Sequence, residues 1–208
     1  MSKNEFRYCA IIITIFCIII FIIQVIFSFI TENFILISID VISRPWILIT
    51  SIFLHGSLEH LMYNMLALVL FGTILEKIIG SKNFILVFLV SGILANITSI
   101  FFYEATLGAS GAIFGILGCL TFLRPKMIVW VYSVPMPMIV AAAIWFLIDL
   151  VGVFYPSNIA NISHISGLLI GMIFGFVLRN KYKEETNTKK EKPLNEKDLD
   201  EWEEKYMR

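Results

Sequence analysis

The sequence predicts an all-α polytopic membrane protein, a six-transmembrane-helix bundle with a short central helix that carries a serine. Three observations lead there. Of the 208 residues, 58% are hydrophobic and only 15% charged, with a mean hydropathy of +0.85, whereas a soluble chain carries roughly a quarter charged residues. Positions 179–208 hold nine of the 16 basic and nine of the 16 acidic residues, so a net charge of zero hides an apolar body and a charged tail. That body divides into apolar runs of about 20 residues, the length that crosses a bilayer core.

The first run, Tyr8–Phe29, follows Lys3 and Arg7. It is too long for the apolar region of a signal peptide and no small-x-small cleavage site follows, so it reads as an uncleaved first span. Residues 31–57 form a long external loop whose apolar content (Phe34, Ile35, Leu36, Pro45, Trp46, Ile47, Leu48) lays it in the membrane interface or against the bundle. Four further spans are read at Leu58–Ile78, Phe84–Tyr103, Pro137–Phe154 and Ile159–Leu178. Between them Ser110–Leu123 is Gly-rich and apolar but short; at 1.5 Å per residue it reaches about 21 Å, enough to cross only inside a ring of other helices. Lys3, Arg7, Lys77, Lys82, Arg124, Lys126 and every basic residue of the tail fall on one side of this arrangement, and Arg44 alone on the other. The positive-inside rule then puts both termini in the cytoplasm and requires an even number of spans. The expected product is a multi-pass cell-membrane protein in two parts: 1–179, the membrane domain, and 180–208, a solvated cytoplasmic tail, disordered or loosely helical, in which Asp198–Tyr206 is the candidate for a short helix.

Composition excludes other classes. Cys9, Cys17 and Cys119 are odd in number and lie in or beside apolar runs, so they read as packed small hydrophobes and not as a disulfide framework. No basic patch interleaved with aromatics occurs outside the tail, which leaves nucleic-acid binding without support.

Polar groups inside spans are costly and are functional candidates by default. His60 and Asn64, four apart, share one face of the second span; Ser110 opens the short helix in Gly108-Ala109-Ser110-Gly111; His164 lies near the outer end of the last span. The topology brings all four to a similar shallow depth on the external side. A serine hydroxyl becomes a competent nucleophile when a base takes its proton, and histidine is the usual base. Glycines Gly108 and Gly111 let a substrate backbone approach and let the Ser110 amide face a developing oxyanion, to which His60 and Asn64 add donors. No acidic residue is seen to orient His164, so the reading is a Ser–His dyad. Glycines four apart (Gly111, Gly115; Gly167, Gly171, Gly175) read as close helix packing.

Taken in order, Trp46, His55-x4-His60-x3-Asn64, Gly72, Glu76, Gly80, Gly108-x-Ser110-Gly111 and Asn161-x-x-His164-x-x-Gly167-x3-Gly171 resemble the rhomboid intramembrane serine proteases from about Tyr8 to Arg179. The resemblance implies six helices around the serine helix and a water-filled cavity open to the outside. It implies Ser110 as nucleophile, His164 as base, and His60 and Asn64 beside the Ser110 amide as oxyanion donors. Its implied partners are transmembrane protein substrates within the bilayer, cut near their outer ends, with no cofactor and no metal. Three positions depart from the family's usual pattern: Ile47 for an arginine after the loop tryptophan, Phe114 for a tyrosine that stacks on the catalytic histidine, and Ser163 for an alanine. His55 reads as ordering the first loop, and Glu76 as an interhelical hydrogen-bonding group.

Other classes compete with this one. A zinc enzyme would use the three histidines and Glu59, but helical zinc pairs favour His at i and i+4, and His60 is paired with Asn64 instead. A catalytically inactive rhomboid-like membrane chaperone would lack the serine or the histidine. A small polytopic transporter would show paired broken helices or internal repeats, and none is evident.

Overall fold

The computed structural model describes residues 6–131, 133–155, 159–182 and 204. Most of the tail read from the sequence, including the Asp198–Tyr206 helix apart from Glu204, lies outside the described residues. Among the described residues four helical stretches are long and apolar enough to cross a membrane: Cys9–Ile26, Leu58–Ile79, Ser81–Ser99 and Asn161–Leu178. The protein is a multi-pass, mostly helical membrane protein. Two of the six expected spans are therefore shorter helices, Ser110–Leu123 and Met138–Gly152.

Helix α1 (Cys9–Ile26) turns out most of its apolar side chains and buries a narrow stripe of small or polar ones, Ala10, Thr14, Cys17 and Gln24. Such a face suits lipid outside and close packing inside. Its N-terminus is satisfied from elsewhere in the chain. The Glu76 carboxylate accepts from the backbone N–H groups of Cys9 at 2.9 Å and Ala10 at 3.0 Å, and from the Ser81 hydroxyl at 2.6 Å. An acidic side chain meeting the unpaired first amides of a helix satisfies donors that lipid cannot. The interhelical bonding read for Glu76 is thus the capping of α1.

The loop after α1 folds against the bundle. It contains α2 (Ser28–Phe34), the two-residue strand β1 (Leu36–Ile37), a 3₁₀ turn at Ser38–Asp40, α3 (Ile47–Thr50) and a second 3₁₀ turn at Ser51–Phe53. Leu36, Ile47, Ile52 and Leu54 are buried, while Ile39 and Ile42 project outward. Arg44 pairs with Asp40 within this loop.

Helix α4 (Leu58–Ala67) continues through a π-helical turn, Leu68–Gly72, into α5 (Thr73–Ile79). Gly80, at φ 79°, makes the sharp break to α6 (Ser81–Ser99). β2 (Ala105–Thr106) then pairs antiparallel with β1. Helix α7 (Ser110–Leu123) touches α4, α5, α6 and the two helices that follow it, and eleven of its fourteen residues are buried. A hairpin absent from the sequence reading, β3 (Ile128–Val131) and β4 (Val134–Pro137), leads to α8 (Met138–Gly152) and α9 (Asn161–Leu178).

The α7–α9 contact is backbone on backbone. A Cβ built on Gly167 would lie 2.1 Å from the Gly111 carbonyl oxygen, and one on Gly171 1.9 Å from that of Gly115. Only glycine permits this approach. It locks the serine-bearing helix to the histidine-bearing helix.

Candidate active site

Each polar candidate is positioned by local chemistry. Ser57 caps α4, its hydroxyl accepting from the His60 backbone N–H at 3.1 Å, which fixes His60 in the helix's first turn. Asn64, one turn on and buried, donates to the His60 carbonyl at 2.8 Å. Ser110 is the first residue of α7, and Ala109 before it offers no side-chain cap. The amides that open α7 consequently have no acceptor within the helix. His164 sits in the first turn of α9 and is mostly buried.

Two contacts bring these helices to one place. The Phe114 ring, one turn beyond Ser110 on the same face, stacks on the His164 imidazole with centroids 4.4 Å apart and planes 6° from parallel. His60 fills the space where a Gly108 side chain would be; a Cβ there would come within 2.6 Å of its ring, and the backbone is held at φ 123°. The Gly108 amide donates to the Ser51 carbonyl at 2.9 Å, tying the loop before Ser110 to the segment before α4. His60 and His164 lie within electrostatic reach of each other. Among the described residues no hydrogen bond joins Ser110 to His164, and such bonds are commonly long in unliganded sites.

The glycines differ from the sequence reading. Both Gly108 and Gly111 were expected to leave room for a substrate. The space beside Gly108 holds His60, and that beside Gly111 holds Ala95 and the Ser163 hydroxyl. On the side where a Cβ would project, both glycines face a wall of protein. Ser163, at the alanine position, is buried in this wall.

The absence of an acidic partner for His164 is also corrected. Asp149 of α8 lies with Oδ1 3.0 Å from His164 Nδ1, and its side chain is 7% exposed. The signal was present: Asp149 is the one acidic residue of the Pro137–Phe154 run, and an ionisable group inside a span is a functional candidate.

His55 lies where the first loop meets α1. Its backbone N–H donates to the Gln24 amide oxygen at 3.1 Å, and its carbonyl accepts from the Gln24 amide nitrogen at 3.3 Å, joining the loop to α1. Its ring sits edge-on to His60 at 5.2 Å. Burial, and then the nearby His60, push the imidazole down to about 4, so it is neutral at physiological pH. Among the described residues no three His, Cys, Asp or Glu side chains gather as a metal site.

A polytopic helical bundle with a serine at a helix start, a stacked histidine and two further polar groups defines a membrane protein with a polar site among its helices. The model of the Rhomboid domain matches residues 42–181, and the chain belongs to the rhomboid family. It is 39% identical over 130 residues to the rhomboid protease GluP of Bacillus subtilis, covering 61% of this chain and 24% of that protein. To the putative rhomboid protease YdcA of the same organism it is 35% identical over 142 residues, 65% of this chain and 68% of the relative. To the rhomboid protease GlpG of Haemophilus influenzae it is 29% identical over 140 residues, 65% and 70% of the two chains. The chain thus matches about a quarter of GluP and about two thirds of the other two.

Proposed function

We propose that this chain is an intramembrane serine endopeptidase that cleaves transmembrane helices of other proteins near the outer face of the cell membrane. The observation that carries the reading is the Phe114–His164 stack, which holds an imidazole beside the helix start bearing Ser110. The family membership and the relatives named as proteases agree with it.

In this reading the Ser110 Oγ attacks the scissile carbonyl carbon while His164 takes its proton. The oxyanion accepts hydrogen bonds from the Ser110 amide, from His60 and from the Asn64 N–H that is not engaged with the His60 carbonyl. Collapse expels the amine, which takes the proton from His164, and water then releases the acyl group by the same steps. A peptide bond inside an intact helix is shielded, and opening a helix in lipid leaves backbone groups unpaired. Substrates are therefore helices with weak outer turns. The enzyme itself crosses the membrane six times, with α7 at the centre and both termini in the cytoplasm.

The test uses the full chain purified in detergent. A serine-directed fluorophosphonate should attach to Ser110, and single-span helices should be cut at sites mapped by mass spectrometry. Ser110→Ala should keep its melting temperature and lose on the order of 10⁵-fold in rate, as Ser–His hydrolases do. A clean Ser110→Ala preparation cutting at a tenth of the wild-type rate would overturn the assignment, as would loss of activity to a chelator with rescue by zinc.

A further inference from the structure

We infer that Asp149 is the positioning residue for His164, so that the site works as a Ser–His–Asp set assembled from three helices, α7, α9 and α8. The inference rests on the serine-protease reading above and adds the group that orients the base.

A carboxylate in an apolar helix needs a strong reason to be there. Asp149 lies in the sequence Trp-Phe-Leu-Ile-Asp-Leu-Val-Gly of α8 and is 5% exposed. Burying an unpartnered carboxylate costs several kcal/mol, and such groups persist where they are paired. Among the described residues its side chain has one hydrogen-bond partner, His164 Nδ1 at 3.0 Å. Structural cohesion between α8 and α9 would be served as well by apolar packing. What an aspartate adds is direction and charge.

The direction matters because the imidazole has two nitrogens. With Nδ1–H donated to Asp149, the neutral ring carries its lone pair on Nε2, the atom available to Ser110. Phe114 fixes the ring's plane by stacking, and Asp149 fixes its rotation within that plane. When Ser110 gives up its proton, Nε2 receives it and the ring becomes a cation between Asp149 and His60. The carboxylate remains ionised, offsets that cation, and takes no proton itself. The proton later passes from Nε2 to the leaving amine.

Two measurements test the inference. The first uses wild-type protein with ¹⁵N-labelled histidine in detergent, the His164 signal assigned by its loss in His164→Ala. The neutral ring should carry its proton on Nδ1; a proton on Nε2 overturns the inference. The second compares Asp149→Asn and Asp149→Glu with wild type. Asp149→Asn should keep the melting temperature and KM and lose roughly 10²–10⁴-fold in kcat, the range of a general base's contribution; Asp149→Glu should recover part of that loss. The rate at which the fluorophosphonate labels Ser110 should fall in parallel. If Asp149→Asn labels and turns over within twofold of wild type, Asp149 is not the positioning residue, while labelling of Ser110 itself leaves the protease reading standing. If wild-type Ser110 is never labelled, it is the protease reading that falls.

Discussion

At the scale of single residues the site is a set of groups each held by a different neighbour: His60 by the Ser57 cap and the Gly108 backbone, His164 by Phe114, and Asn64 by its own helix. The expected consequence is a division between residues that fold the site and residues that stabilise charge in it. His60→Ala and Asn64→Ala should each lower kcat more than they alter KM, because a donor to the oxyanion acts mainly in the transition state. Losing one such donor costs about 10²–10³ in kcat elsewhere, and the Ser110 amide remains. Asn64→Ala should cost less than His60→Ala, since one of its N–H groups already serves the His60 carbonyl. The double mutant should lose less than the sum of the two, as neighbours acting on one atom do. Melting temperature and kcat measured on the same preparations decide the matter. Destabilised mutants with wild-type kcat would make both residues purely structural. The candidate residues were legible because lipid makes polar groups expensive, so His60, Asn64, Ser110 and His164 stood out against an apolar background. Asp149 stood out equally by that criterion, but it is fifteen positions from His164, and no periodicity pairs residues on separate helices.

Among the elements, α7 and α9 depend on each other through glycine. A methyl group at Gly118, Gly167, Gly171 or Gly175 would come within 2.7 Å of the facing helix's backbone, whereas at Gly56, in the loop before α4, an added Cβ would meet Leu107 at 3.6 Å, an ordinary contact. Gly171→Val should therefore lower the melting temperature sharply, since overpacking a tight contact costs about 1–3 kcal/mol and here the obstacle is the Gly115 carbonyl. It should reduce activity as well, because Ser110 and His164 sit on the two helices forced apart. Gly56→Ala should leave melting temperature within a degree or two. Equal melting temperatures for the two variants would show that the close approach does not hold the helices. The glycine spacing announced this contact in the sequence. The hairpin at 128–137 was not announced, since Pro135 and Pro137 mask its alternation. Nor was the π turn at Leu68–Gly72, because an apolar run looks the same whether it winds with 3.6 residues per turn or more. For the loop after α1 the composition allowed two placements, and the bonds from Asn96 to Ser51 and the Leu48 carbonyl fix it against the bundle.

For the whole molecule, the question left open by helix length is whether α7 and α8 cross the membrane. Fourteen and fifteen residues extend about 21–23 Å, well short of a hydrocarbon core of about 30 Å. For α7 the shortfall is tolerable, because it meets protein on nearly every side and has no lipid boundary to match. For α8 the Asp149 bond to α9 and the hairpin at its start hold the ends in place, and a local thinning of the bilayer costs fractions of a kcal/mol per Å. Both helices should therefore cross, and the positive-inside bias should set the direction, with Arg124 and Lys126 in the cytoplasm. Single cysteines at exposed positions read this directly: Glu104→Cys before α7, Lys126→Cys between α7 and α8, and Tyr155→Cys after α8. The native Cys17 and Cys119 are buried, and Cys9 is replaced by serine in the background. In intact cells a membrane-impermeant maleimide should label positions 104 and 155 and should reach 126 only after lysis. Labelling of all three from outside would mean that neither short helix crosses and that the bundle has four spans. Labelling of 126 alone would preserve six crossings and invert them, putting the Ser110 end of α7 on the cytoplasmic side.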